Sequence, residues 1–461
     1  MMDFRERLPL KGGGRMGAWT LALAAMLLVL LAPALWNGFP LIFPDTGGYL
    51  ARPFDRDLEM GRSALYGAFL AAGMRLDFWP NVIAQAGLAV WLILLTLRAH
   101  GLGGRALLAF GVVILLAAGT SLPWYAGQLM PDIFFPAAVL SLHLLAFRGE
   151  GLRALERAGL AGVIVFAIPI HMAILGLCLG IVAALLLLSH IRALALPRPR
   201  LRIAGAAVAA GIALCPLSNL AVTGNFAFTP GGTSFLFGRL IQDGIVGRYL
   251  ADACPDESIK LCAFRGQLPP TADDWLWGDT PFYKLGGWQD YEPEERRIIL
   301  ATLRHYPVEH ITTAAKAALD QFIAVRTGEG INPLDTGHTE WIFQRLIPDV
   351  LPRLQVAPQQ QHLFGFTLIN RIQVPFALLC VAALGIIVVL GRHRVAPQVR
   401  ALALSVLLAL AGNALICGVF SNPNDRYQSR LVWLAPFALI VAMLVWRRDG
   451  VSRTQRDVAA R

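Results

Sequence analysis

Long apolar runs alternate with short, mostly basic turns along this chain, and that alternation predicts the architecture before any single residue is weighed. Runs of near membrane-crossing length fall at about residues 17–36, 80–97, 106–121, 133–147, 203–222, 374–390, 401–420 and 431–446. A helix of about 20 apolar residues crosses the hydrocarbon core of a bilayer. Residues 158–190 are too few for two full spans and carry Pro169 and His171 near the middle. A single helix there would turn the later topology over and set Arg192, Arg198, Arg200 and Arg202 outside. Basic loops stay cytoplasmic, so the stretch reads as two short helices meeting at Ile168-Pro169-Ile170-His171 near the outer side.

The expected fold is therefore an all-α polytopic membrane protein of about ten transmembrane helices. It divides into a seven-helix membrane module (1–222) with a first outer loop (37–79), a mostly helical extracytoplasmic loop domain (223–372), and a three-helix segment with a basic cytoplasmic tail (373–461). The turns RAHGLGGR, RGEGLRALER and GRHRVAPQVR, the N-terminal MMDFRERLPLKGGGR and the tail RRDGVSRTQR are all basic and are expected in the cytoplasm. The first run has a signal-like Ala32-Pro33-Ala34 but is long for a cleaved leader, so it reads as a retained anchor. Ser63 to Leu76 is too short to span and reads as a helix at the outer surface, with Phe78-Trp79 and Trp124-Tyr125 at the interface.

Composition agrees. Hydrophobic residues make up 56% of the chain, charged residues 15%, and the mean hydropathy is +0.57, where a soluble domain carries about 25% charge. The net charge of +10 does not point to nucleic acid, because the basic residues sit in the short turns. Segment 223–372 is acidic instead, with 13 Arg and Lys against 17 Asp and Glu. Its two cysteines, Cys254 and Cys262, are expected to form a disulfide, in keeping with an oxidising exterior, the alternative being two reduced thiols. The other four, Cys178, Cys215, Cys380 and Cys417, lie in apolar runs as small hydrophobes. Pro293-Glu294-Glu295 and Pro307 open amphipathic helices in this segment, ending near His305 and Val325. No phosphate loop or dinucleotide motif occurs, and no internal repeat.

Candidate chemistry gathers at the outer ends of the spans. Ionisable groups there are costly and functional by default. Asp45, in GFPLIFPDTGGYL, and Asp132, in PWYAGQLMPD, each follow a proline at the membrane boundary. Together they could hold a divalent cation such as Mg²⁺ or Mn²⁺, or one could act as a general base. The plain alternative is that both merely cap helices. The FDRD run, Asp55 to Asp57, has a metal-like spacing and more simply reads as a solvated loop. Arg426 and Arg430, in SNPNDRYQSR, offer forks for a phosphate, or for lipid headgroups at a helix end. Tyr49, Tyr427 and His171 complete the expected substrate-binding set, although His171 alone also suits packing. The tryptophans around Trp275–Trp288 suit sugar stacking, or simply an interface.

This layout resembles the GT-C glycosyltransferases. The resemblance is one of topology over roughly residues 17–372, and of motif only at PDTGGY (Pro44 to Tyr49) and MPD (Met130 to Asp132). The first loop lacks an adjacent acidic pair, and no WWDYG-like element is present. The resemblance implies a seven-helix module followed by a variable set of helices, in a bacterial-type cytoplasmic membrane with both termini inside. It implies a polyprenyl-phosphate-linked sugar as donor, a glycan, lipid or protein of the envelope as acceptor, and membrane lipids as surroundings. It makes Asp45 the first-loop catalytic acid and Asp132 the acid of the second outer loop. The competing expectations are a transporter or lipid flippase, and a non-catalytic subunit of an envelope assembly complex.

Overall fold

The structure is a computed structural model that describes residues 13–191, 196–333 and 337–459. The basic residues 1–12 and Arg192 lie outside it. Among the described residues the regular elements are all helices, the only β pairing being the isolated bridges Leu41–Gln128 and Glu59–Arg62.

Among the described residues seven helices are long and apolar enough to cross a membrane: Trp79–Ala99, Pro131–Gly151, Met172–Ser189, Arg202–Thr223, Thr367–Leu390, Pro397–Phe420 and Asp425–Asp449. The other three runs read as spans form the helices Gly13–Leu30, Ala106–Gly119 and Ala154–Ile170, of 18, 14 and 17 residues. Ala106–Gly119 has 14 residues, about 21 Å of helix against a hydrocarbon core of about 30 Å. The first run breaks at Leu31, because Pro33 belongs to the first turn of a second short helix, Ala32–Asn37. Residues 158–190 break as expected. Ala154–Ile170 and Met172–Ser189 meet at His171, whose backbone is extended (φ −157°, ψ 119°).

The spans carry their apolar surface outward as well as inward. Leu107, Leu155, Leu379, Val389 and Leu390 are all at least 70% exposed, as suits side chains that meet lipid rather than water. One continuous apolar core runs through the membrane helices. A second, built on Phe237, Trp275, Phe282, Tyr291 and Ile298, belongs to the polar segment. The helices Glu292–His305 and Pro307–Ile323 form there, as the proline and acid pattern predicts, and Cys254 is joined to Cys262 by a disulfide.

The two parts are not separate layers. Pro307–Ile323 packs along the span Pro397–Phe420. The approach is so close that a Cβ on Gly418 would lie 2.5 Å from the Ala317 carbonyl oxygen. Gln321 locks the register, accepting from Asn424 N and donating to Asn424 O at 2.9 and 2.8 Å.

Two interface assignments change. Phe78 is fully buried, stacked on Phe343 at 5.9 Å, and Tyr125 is 5% exposed and hydrogen-bonded within the protein. Both stand where loop segments fold back over the helices, which a linear hydropathy pattern does not reveal.

Candidate functional site: an acid–arginine cluster

Asp45 begins the helix Thr46–Asp55 but makes no side-chain cap. Thr46 ties the turn instead, its hydroxyl accepting from Phe43 N at 3.0 Å and donating to Leu129 O at 3.1 Å. This second bond crosses to the other loop. The Leu41–Gln128 bridge lies beside it, with Leu41 N on Gly127 O and Leu129 N on Leu41 O, each 2.9 Å. The lacing sets the segment that carries Asp132 against the segment that carries Asp45.

The Asp45 carboxylate is therefore free for other partners. Its Oδ1 accepts from Arg62 Nη2 at 2.7 Å, and its Oδ2 lies 3.9 Å from Arg426 Nη1. Asp132 Oδ1 lies 3.1 Å from Arg430 Nη1 and 3.6 Å from Arg426 Nε. Arg426 thus stands between two acids that are distant in sequence. Both carboxylates are used in ion pairs, so the capping alternative falls away for each.

Exposure divides the cluster. The Asp45 side chain is 25% exposed, whereas those of Asp132 and Arg430 are 1% and 0% exposed. Arg430 is held by Asn413 Oδ1 at 3.3 Å and packs its guanidinium 3.3 Å from the Phe135 ring centre. Arg426 lies over Phe43, 4.1 Å from the ring centre. Tyr427 is half-buried and within 5.3 Å and 5.1 Å of the two guanidinium groups. Three buried polar atoms of this group have no hydrogen-bond partner: Asp132 Oδ2, Arg426 Nη1 and Arg430 Nε. Unpaired donors and acceptors in an apolar setting are costly, and of the three only Arg426 Nη1 lies beside a partly exposed group, Asp45, so it is the point where a ligand would gain most.

The polar segment closes over the cluster. Gly47 N donates to Thr339 Oγ1 at 3.0 Å, and that hydroxyl also bonds Pro44 O. Gly47 has to be glycine, since a Cβ there would lie 2.5 Å from the Thr339 Cα. Glu329 Oε2 accepts from Arg426 N at 2.5 Å, and burial holds the Glu329 carboxyl above its usual range. Burial is the largest influence on Arg62 and opposes its charge, but Asp45, Tyr49 and Glu59 together outweigh it and hold that guanidinium above its ordinary pKa.

The remaining expected residues have local duties. Tyr49 is buried, donates to Gly61 O at 3.3 Å and lies under Arg62. Burial pushes its phenol up, so it stays a neutral donor. His171 accepts from Ala173 N at 3.2 Å, capping the following helix, and meets Phe135 edge-on. It makes no hydrogen bond to either acid. Asp55, Asp57 and Glu59 all converge on the buried Arg52, so the exposed FDRD run is an ion-pair clasp at a helix end.

A divalent cation between Asp45 and Asp132 does not fit these residues. Arg426 already occupies the space and supplies the charge that a metal would bring. Among the described residues no group of three or more His, Cys, Asp or Glu side chains is placed to hold a metal ion. Several neighbours of the cluster escaped the sequence reading: Arg62, Asn413, Glu329, and Tyr125, whose hydroxyl bonds Arg426 O at 3.3 Å and Ser429 Oγ. Arg62 and Asn413 carried a signal, the first as a basic residue in an outer loop, the second as an amide inside an apolar run.

Fold and cluster together define an α-helical, multi-pass membrane protein that buries an acid–arginine network where two loops meet its last apolar helix. No family model, no curated protein and no solved structure matches this chain.

Proposed function

We propose that this protein is a membrane glycosyltransferase that moves a sugar from a polyprenyl-phosphate donor to a glycan, lipid or protein of the cell envelope. The observation that carries the reading is the convergence of Asp45 and Asp132 on Arg426, which leaves a partly exposed acid next to an unsatisfied guanidinium edge. In this reading the chain crosses a bacterial-type cytoplasmic membrane ten times, Gly13–Leu30, Ala106–Gly119 and Ala154–Ile170 included. Both termini are cytoplasmic, and the segment 223–372 lies outside, where its disulfide is stable.

Each group then has a task that its surroundings permit. Asp45 Oδ1 is taken by Arg62, so Oδ2 receives the proton of the acceptor hydroxyl. The acceptor oxygen bonds to the anomeric carbon as the bond from that carbon to the phosphate oxygen breaks. The electron pair leaves with the polyprenyl phosphate, whose charge grows by one. Arg426 Nη1 meets that growing charge with a donor already fixed and desolvated. Asp132 and Arg430 are too deeply buried to touch substrate and act as positioning residues, holding the Arg426 fork in place. No step uses a metal.

The test is transfer of labelled sugar from polyprenyl-phosphate donors by purified protein, scored for wild type and Asp45→Asn. Donor-dependent transfer that the variant loses supports the reading. Absence of transfer across hexose and pentose donors, with lipid movement across vesicles instead, favours the transporter.

A further inference from the structure

A cavity of about 530 Å³ opens at the start of the span Trp79–Ala99, and none of the acid–arginine cluster lines it. Arg75, Leu76, Asp77, Trp79 and Ile83 form one wall, and Arg353, from the polar segment, reaches in from the other. Leu76 and Ile83 are 66% and 47% exposed, so the rim carries apolar side chains beside its charged ones.

The turn that shapes this wall is held in an unusual conformation. Asp77 and Phe78 both adopt left-handed backbone, with φ of 53° and 61°, where glycine is the usual residue. Phe78 pins the turn, fully buried between Phe39 and Phe343. Strain of this kind persists where the surrounding packing enforces it and gathers at ligand sites. The Asp77 carboxylate pairs with Arg353. Arg75 is exposed and makes no hydrogen bond or ion pair among the described residues. The lining therefore offers two guanidinium groups against one carboxylate, at the mouth of a membrane-length helix that starts with tryptophan.

We propose that this cavity binds the phosphodiester headgroup of a membrane phospholipid, with Arg75 and Arg353 on the phosphate and Leu76, Trp79 and Ile83 against the glycerol and the first acyl carbons. A guanidinium fork matches a phosphate oxygen pair. An indole belongs at headgroup depth, and the exposed apolar rim needs acyl chains to cover it. A bound headgroup would join the first-loop region to the polar segment, because its two cationic contacts come from one each. The proposal rests on membrane insertion and is independent of sugar transfer.

The experiment is native mass spectrometry of the full chain in a neutral maltoside, titrated with palmitoyl-oleoyl-phosphatidylglycerol, with diacylglycerol of the same chains, and with inorganic phosphate. One phosphatidylglycerol should be retained per chain, and diacylglycerol should not bind. Arg75→Ala should weaken retention about tenfold, roughly 1.4 kcal/mol, and Arg75→Lys should restore part of it. Arg75 is exposed and unpartnered, so its replacement leaves the fold intact. Equal retention by wild type and an Arg75→Ala/Arg353→Ala variant would overturn the proposal. So would equal binding of diacylglycerol, which lacks the phosphate. Displacement of the lipid by an equal concentration of inorganic phosphate or of polyprenyl phosphate would also overturn it, since the site would then select a free anion or the carrier.

Discussion

Asp45→Asn and Asp132→Asn are the same chemical change, yet the structure assigns them opposite consequences. Asp132 is 1% exposed and faces two guanidinium groups, one of them wholly buried. Its neutralisation leaves Arg430 without a carboxylate and Arg426 with only the more distant Asp45. Removing one partner of a buried ion pair costs about 3–5 kcal/mol, a large share of a typical total of about 5–15 kcal/mol. Asp132→Asn is therefore expected to lower the thermal midpoint and the yield of folded protein. Asp45 is 25% exposed, and its partner Arg62, 12% exposed, keeps a hydrogen bond to Met60 O at 3.4 Å, so loss of that pair should cost less than loss of the Asp132 pairs. Asparagine cannot take the acceptor proton, however, and loss of a general base slows reactions by about 10²–10⁴, equivalent to about 2.7–5.4 kcal/mol of barrier. Asp45→Asn is therefore expected to fold like wild type and fail to turn over. The assay pairs thermal unfolding in detergent, followed by tryptophan fluorescence, with the initial rate of sugar transfer. An Asp132→Asn protein as stable as wild type would refute the buried-charge reasoning, and an Asp45→Asn protein with full rate would refute the assignment of the base.

Three further outcomes can be checked. Glu295 is fully buried and bonds Ser234 at 2.6 Å; burial raises its carboxyl pKa from 4.5 to about 7. The folded state therefore holds the proton more tightly than the unfolded chain, and stability is greatest below pH about 4.5 and falls by up to about 3 kcal/mol as pH rises to about 7. Thermal midpoints across that window should fall for wild type and stay flat for Glu295→Gln, and parallel curves would count against it. Cys254 and Cys262 should resist thiol labelling until reduced, and opening their short loop (sequence separation 8) should destabilise the segment by roughly 2–3 kcal/mol; ready labelling of the unreduced fold would exclude the bridge. Reporter fusions at Gly151, Pro199 and Ala396 should report cytoplasm and one at Gly266 the exterior, and a cytoplasmic signal at Gly266 would invert the ten-span arrangement.

What could be read from the sequence was local. Apolar runs mark the spans, the Pro169–His171 break divides residues 158–190 where expected, and proline followed by acids opens Glu292–His305. The acids were legible as candidates because charge at a membrane boundary is rare. Their union was not, since it depends on the Leu41–Gln128 bridge and the bond from Thr46 to Leu129, which no periodicity encodes. The same holds for Arg52, which gathers three nearby acids that spacing alone presented as a metal-like run. Tyr125 and Phe78 were placed at an interface by residue type, whereas long-range packing buries both.

The placement of Arg426 also sets the order in which a working molecule can come into being. A growing chain releases its N-terminal part first, so Asp45 and Asp132 enter the bilayer long before the residue that joins them. Until the final helix is inserted, Asp132 sits among apolar side chains without either of its counter-ions. Products that stop short of residue 425 therefore lack both arginines that pair with Asp132. The last component of the cluster is thus among the last parts of the chain to be made.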